Sequence, residues 1–167
     1  KVIYWREWGH RQLGRLIGLV WALGFLGLYL TKSLPRGWSR NLWILGSLGG
    51  LQGAIGWWMV ASGLDGTRLD VASYRLATHL GLAFVILGLI SWSLFNLGRS
   101  DLDLYAARRR RENSLATSLA VLTGVAFLQI LLGALVAGID AGRYFPEWPT
   151  MAGQFFPPNA LELSPVW

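Results

Sequence analysis

His10 and His79 are the only two histidines in the chain, and both fall within long apolar runs. Imidazole is the commonest protein metal ligand, and two of them can grip one metal ion from opposite sides. A tetrahedral zinc site needs further ligands, and the chain has no cysteine and few carboxylates at that depth. Heme iron needs only two axial histidines, because the porphyrin supplies four equatorial nitrogens. The competing reading is that each histidine is a polar residue hydrogen-bonded across a helix interface.

The charges nearby suit the heme reading. Glu7, Arg11 and Arg15 step by four, which stacks them on one helical face. Glu7 precedes His10 by one turn, where a carboxylate could take a proton or stabilise positive charge developing beside the ring. Arg75 precedes His79 by one turn, so Arg11 and Arg75 are candidate partners for anionic propionates at the wet edge of the site. Arg15 lies deeper, where an ionisable side chain in a membrane span points to function. For Arg11 and Arg15 the alternative is pairing with Glu7 plus snorkelling of the long stems.

The elements that must carry these residues are membrane helices. The chain has 167 residues, 53% hydrophobic and only 14% charged, against about a quarter charged in a soluble domain. Its charges sit in short islands between four apolar runs, each near the roughly 20 residues that cross a bilayer. The runs are about Trp5 to Leu30, Leu42 to Leu64, Tyr74 to Leu97 and Leu115 to Ile139. They lack the alternation of barrel strands, and their recurrence and charges argue against a signal peptide. The expected fold is an all-α integral membrane helix bundle. With the first run starting at Trp5 and the third capped by Ser73, both histidines lie roughly 8 Å below one interface on parallel helices.

Loop charges give the orientation. Lys32, Arg36 and Arg40, and Arg99 with Arg108 to Arg111, mark two loops as cytoplasmic. Lys1, Arg6, Arg68, Arg75 and Arg143 fall on the other side, which places the histidines near the extracytoplasmic face. Topology and anionic membrane lipid account for the basic run, with no nucleic acid required. Trp5, Trp8, Trp57, Trp58, Trp92 and Trp148 lie near span ends, as interface anchors do.

Glycines are concentrated in the second run. Gly46 to Gly50 and Gly49 to Gly53, with Gly14 to Gly18 in the first run, are four-residue steps that permit close helix approach; the alternative reading is that they leave room for a flat cofactor. A weak internal repeat links Leu51-Gln52 with Gly56 to Leu128-Gln129 with Gly133, each followed by an aspartate, Asp65 or Asp140. Gln52 and Gln129 fall in mid-span, where an amide needs a partner across the helix interface.

At these residues the sequence resembles heme A synthase, the membrane enzyme that converts heme O to heme A for respiratory oxidases. The matching stretches are Y-W-R-E-W-G-H-R (Tyr4 to Arg11), G-G-L-Q-G-A-I-G-W-W-M-V-A-S-G-L (Gly49 to Leu64) and S-Y-R-L-A-T-H-L (Ser73 to Leu80). L-Q-I-L-L-G-A-L-V-A-G-I-D-A-G (Leu128 to Gly142) follows, leading to W-P-T-M-A-G (Trp148 to Gly153). The cysteine-free outer loops resemble the subtype that lacks a loop cysteine pair.

The resemblance implies two similar four-helix halves, each with a histidine pair. Residues 1–97 would be three helices of the first, substrate-heme half and 98–114 a basic cytoplasmic loop. Residues 115–142 would open the second half, and 143–167 form an extracytoplasmic loop. Read this way, the chain is an excerpt lacking the family's first helix and its last three, with the second histidine pair and its heme b. His10 and His79 match the first pair, and Glu7 the glutamate of its E-x-x-H motif.

The implied reaction is oxidation of one methyl group of heme O to a formyl group by successive hydroxylations, in the bacterial inner membrane. The implied partners are heme O and heme A, membrane lipid, heme O synthase and oxidase assembly factors, with a homo-oligomer left open. Two other functions fit the same residues: a bis-histidine cytochrome b module that passes electrons, and a heme-delivery or assembly scaffold for the oxidase.

Overall fold

The apolar runs form helices because a backbone in lipid must satisfy its own hydrogen bonds. A computed structural model describes residues 2–61 and 71–156. Its helices are α1 (Val2–Leu30), α2 (Trp38–Ala61), α3 (Ser73–Leu97), α4 (Asp101–Arg109), α5 (Asn113–Gly138) and α6 (Ala141–Tyr144). Four of these, α1, α2, α3 and α5, are long and apolar enough to cross a membrane. Among the described residues the only β pairing is an isolated bridge between Met151 and Gln154. The chain is an all-α integral membrane protein, as its hydropathy requires.

The helix ends differ from expectation in informative ways. After α1, Lys32 turns left-handed with φ 53°. The Ser33 N–H then donates to the Leu28 carbonyl at 3.0 Å and the Lys32 N–H to Tyr29 at 3.2 Å. This is a Schellman closure made without glycine. The Trp38 N–H bonds back to Pro35 at 3.1 Å, so α2 begins at Trp38 rather than near Leu42. The expected end of that run at Leu64, together with Asp65 and Arg68, lies outside the described residues.

Ser73 is not the cap of α3. The cap is Ala72, with no side-chain bond, and Ser73 is the first helical residue. It stands against α5: a Cβ built on Gly138 would lie 2.7 Å from Ser73 Cα. The segment expected as a plain basic loop contains α4. Ser100 accepts the Asp103 N–H at 3.2 Å, and its own N–H donates to the Asp103 carboxylate at 3.4 Å. This capping box starts the helix, and Arg108 and Arg109 in its last turn complement the dipole.

The long helices pack in series, α1 on α2, α2 on α3 and α3 on α5. Among the described residues, Ala77 and Gly81 on α3 and Ala134 on α5 are the buried ones. Ala77–Gly81 and Ala134–Gly138 are both small-residue steps of four, and they make the α3–α5 seam. At Gly81 an added Cβ would lie 2.7 Å from Leu131 Cδ2.

Of the glycine steps expected to pack, only Gly46 meets a neighbouring helix. Nothing lies within 4 Å of the Cβ positions of Gly14, Gly18, Gly49, Gly50 or Gly53. In α2 only Gly46 and Gly56 are in close contact, Gly46 with the Trp21 ring of α1 and Gly56 with His79 of α3. An aromatic cluster completes the α1–α2 contact. Trp21 stacks on Phe25 at 5.4 Å, and Trp43 meets Phe25 edge-on at 5.1 Å.

Candidate functional site

α1 and α3 run in the same direction on either side of α2, and each carries one histidine toward the other. The His10 and His79 ring centres are 6.4 Å apart, with their planes at 65°. An imidazole nitrogen sits roughly 2 Å from a metal it binds and about 1 Å from its own ring centre, so two rings on opposite sides of one ion have centres about 6 Å apart. The spacing is that of a pair able to share one metal. Although α1 begins at Val2, earlier than Trp5, the closeness of the rings puts both histidines at one depth.

The floor between them is glycine. On α2, Gly46 faces α1, while Gln52 and Gly56 face α3. At 3.6 residues per turn, Gly49 and Gly53 fall between those two directions. With open space over both glycines, this face of α2 presents no side chain that would obstruct a planar ring.

His79 is held and His10 is open. The Gln52 side-chain amide donates to the His79 backbone carbonyl at 3.0 Å and stands 3.3 Å from His79 Nε2. When the amide donates there, Nε2 is the acceptor and the ring proton sits on Nδ1. His79 Nδ1 and Gln52 Oε1 are both buried, with no hydrogen-bond partner among the described residues. His10 lies on the exposed side of α1. Unpartnered polar atoms beside a ring pair are what a ligand-binding site leaves when considered without its ligand.

The charged candidates are placed less uniformly. Glu7 pairs with Arg11 at 3.8 Å, both well exposed. Arg15 bonds Gln12 at 3.2 Å rather than Glu7. Arg75 donates to the Trp58 carbonyl at 2.7 Å and to the Tyr74 hydroxyl at 3.2 Å. Its guanidinium lies 4.4 Å above the Trp58 ring. Arg75 therefore ties the end of α2 to the start of α3, with two of its three guanidinium nitrogens so used. Among the described residues no three His, Asp or Glu side chains gather at one point, so the histidine pair offers a metal two protein ligands.

Gln52 and Gln129 diverge despite their shared motif. Gln52 meets His79, whereas Gln129 is exposed on α5. The mid-span amide was a visible signal in the sequence; that its partner would be the histidine itself was not.

A family model described as cytochrome oxidase assembly protein (COX15-CtaA) matches residues 1–167. The chain is 67% identical over 165 residues to a heme A synthase of Dinoroseobacter shibae, covering 99% of this chain and 43% of that protein. It is 68% identical to one of Cereibacter sphaeroides, covering 98% and 42%, and 62% identical to one of Ruegeria pomeroyi, covering 100% and 44%. The chain thus spans under half the length of the curated relatives it matches. No solved structure matches it.

Proposed function

The chain belongs to the cytochrome oxidase assembly protein family COX15-CtaA, and from that premise we propose that it forms the substrate-binding part of a heme A synthase. In this reading heme O is the substrate, and one of its methyl groups is oxidised to a formyl group by successive hydroxylations. Residues 1–97 make the substrate-heme half, and α5 opens a second half that holds heme b. The protein lies in the bacterial inner membrane with the histidines toward the extracytoplasmic side. Heme O synthase and oxidase assembly factors are its proposed neighbours.

The observation that carries this reading is the 6.4 Å between the His10 and His79 ring centres, beside the uncovered face of α2 at Gly49 and Gly53. His10 and His79 would hold the substrate from opposite faces. When bound, the porphyrin iron supplies the redox chemistry. The protein's part is to orient the ring and shape its electrostatics. Glu7, one turn outward of His10, would stabilise positive charge developing at the ring edge, with Arg11 fixing the carboxylate through their ion pair. Arg11 and Arg75 would meet the propionates, Arg75 from its seat on Trp58.

The test is pigment extraction from the full-length protein supplied with heme O. His10→Ala and His79→Ala should each abolish heme A formation while the helical fold is retained. Normal heme A in both variants would remove the histidines from the site. Recovery of heme b alone from the unmodified protein would instead favour an electron carrier.

A further inference from the structure

His79 has a different environment from His10: its ring lies in a slot cut into α2. Gln52 and Gly56 are one turn apart on the face of α2 that meets α3. Gln52 supplies the bond to the His79 carbonyl at 3.0 Å, which fixes the height of that turn of α3 against α2. Gly56 supplies an absence. A Cβ there would lie 3.0 Å from His79 Cε1 and 3.5 Å from Nδ1, so the imidazole rests against bare backbone. The Gln52 amide nitrogen also stands 3.3 Å from Nε2. If Nε2 binds iron, the amide gives up this second contact, and the bond to the carbonyl is the one that holds the turn.

We infer that Gln52 and Gly56 form a seat that fixes the imidazole plane of His79, with Gln52 acting as a positioning residue for that ring. This rests on the heme-binding reading proposed above. Partners outside the metal's own ligands set ring orientation, and their loss typically weakens metal binding about 10- to 100-fold. Gly56→Ala acts from the other edge of the ring and leaves the amide in place. The angle between two axial imidazole planes also sets the anisotropy of the low-spin ferric signal, so the seat has a spectroscopic signature.

The experiment titrates heme O into the full-length protein and records affinity and the ferric electron paramagnetic resonance spectrum of the added heme. Gln52→Met, close in shape but unable to hydrogen-bond, should bind about tenfold or more weakly and move the low-spin signal. Gly56→Ala should also move it, which keeps the inference testable if the Met variant fails to fold. His79→Ala separates the two levels of the argument. If it removes the signal while both seat variants keep the unmodified affinity and spectrum, the seat is overturned and the heme site stands. If His79→Ala leaves the signal of the added heme unchanged, the heme site and the seat fall together.

Discussion

Arg75, in the first turn of α3, reaches back to the Trp58 carbonyl near the end of α2 at 2.7 Å and lies 4.4 Å over the Trp58 ring. One side chain thereby joins two spans at the end of the bundle that carries the histidines. It satisfies a carbonyl of the last turn of α2 and places positive charge at the negative end of that helix's dipole.

Arg75→Ala is therefore expected to lower stability as well as heme affinity. A hydrogen bond from a charged group contributes about 1.5–3 kcal/mol and the stacking about 0.5–1 kcal/mol, discounted here for partial exposure. Arg75→Lys keeps the charge and loses the fork, so it should fall between. Thermal unfolding in detergent reads the first effect and heme O titration the second. An unaltered melting temperature in the Ala variant would refute the tie between α2 and α3.

Glu7 should separate chemistry from stability. Its ion pair with Arg11 is 3.8 Å long and well exposed, a kind of contact usually contributing under about 1 kcal/mol. Glu7→Ala is expected to leave the melting temperature nearly unchanged and severely reduce heme A yield. Intact heme A production would favour a delivery scaffold over an enzyme.

Gly53→Leu and Gly49→Leu should do the reverse of ordinary core substitutions. Among the described residues, nothing outside the helix's own adjacent turns lies within 4 Å of either Cβ position, so the fold should tolerate the added side chain. The leucine would occupy the cleft between His10 and His79, and heme O binding should be lost. Unchanged heme affinity in both variants would show that the planar ring does not cross this face of α2.

The glycines also divide by packing. Gly81→Ala would press on Leu131 at 2.7 Å, and Gly46→Ala on the Trp21 ring, a form of overpacking that costs about 1–3 kcal/mol. Gly14→Ala and Gly18→Ala meet open space and should be neutral or stabilising by up to about 1 kcal/mol, because alanine is the better helix former. Melting temperatures of the four variants test the order. Equal losses in all would contradict the seams described.

These 167 residues contain no cysteine, so a single cysteine placed among them tests orientation. Ala107→Cys beside the arginine run should react only with reagent on the cytoplasmic side, and Tyr144→Cys only from outside. The opposite pattern would invert the proposed topology and move the histidines to the inner face.

Much of the fold was legible because its causes are local. Apolar length shows which segments must be helices in lipid, loop arginines suggest which way they run, and four-residue steps place Glu7 and Arg11 on one face. Small-residue steps mislead because the pattern recurs wherever helices are glycine-rich. Gly14–Gly18 and Gly49–Gly53 match the motif as well as Ala77–Gly81, yet only the last lies against another helix.

From sequence alone came the membrane class, the spans, the presence of two histidines near one level and the need of Gln52 for a partner. Tertiary structure decided how far each helix is rotated about its own axis. That rotation turns His10 toward His79, sets Gln52 against His79 while Gln129 stays exposed, and leaves Gly49 and Gly53 facing open space. Hydropathy cannot specify it, because a helix that is apolar on every side satisfies lipid equally well at any rotation. Only the close contacts of small residues and aromatic rings with neighbouring helices distinguish one rotation from another.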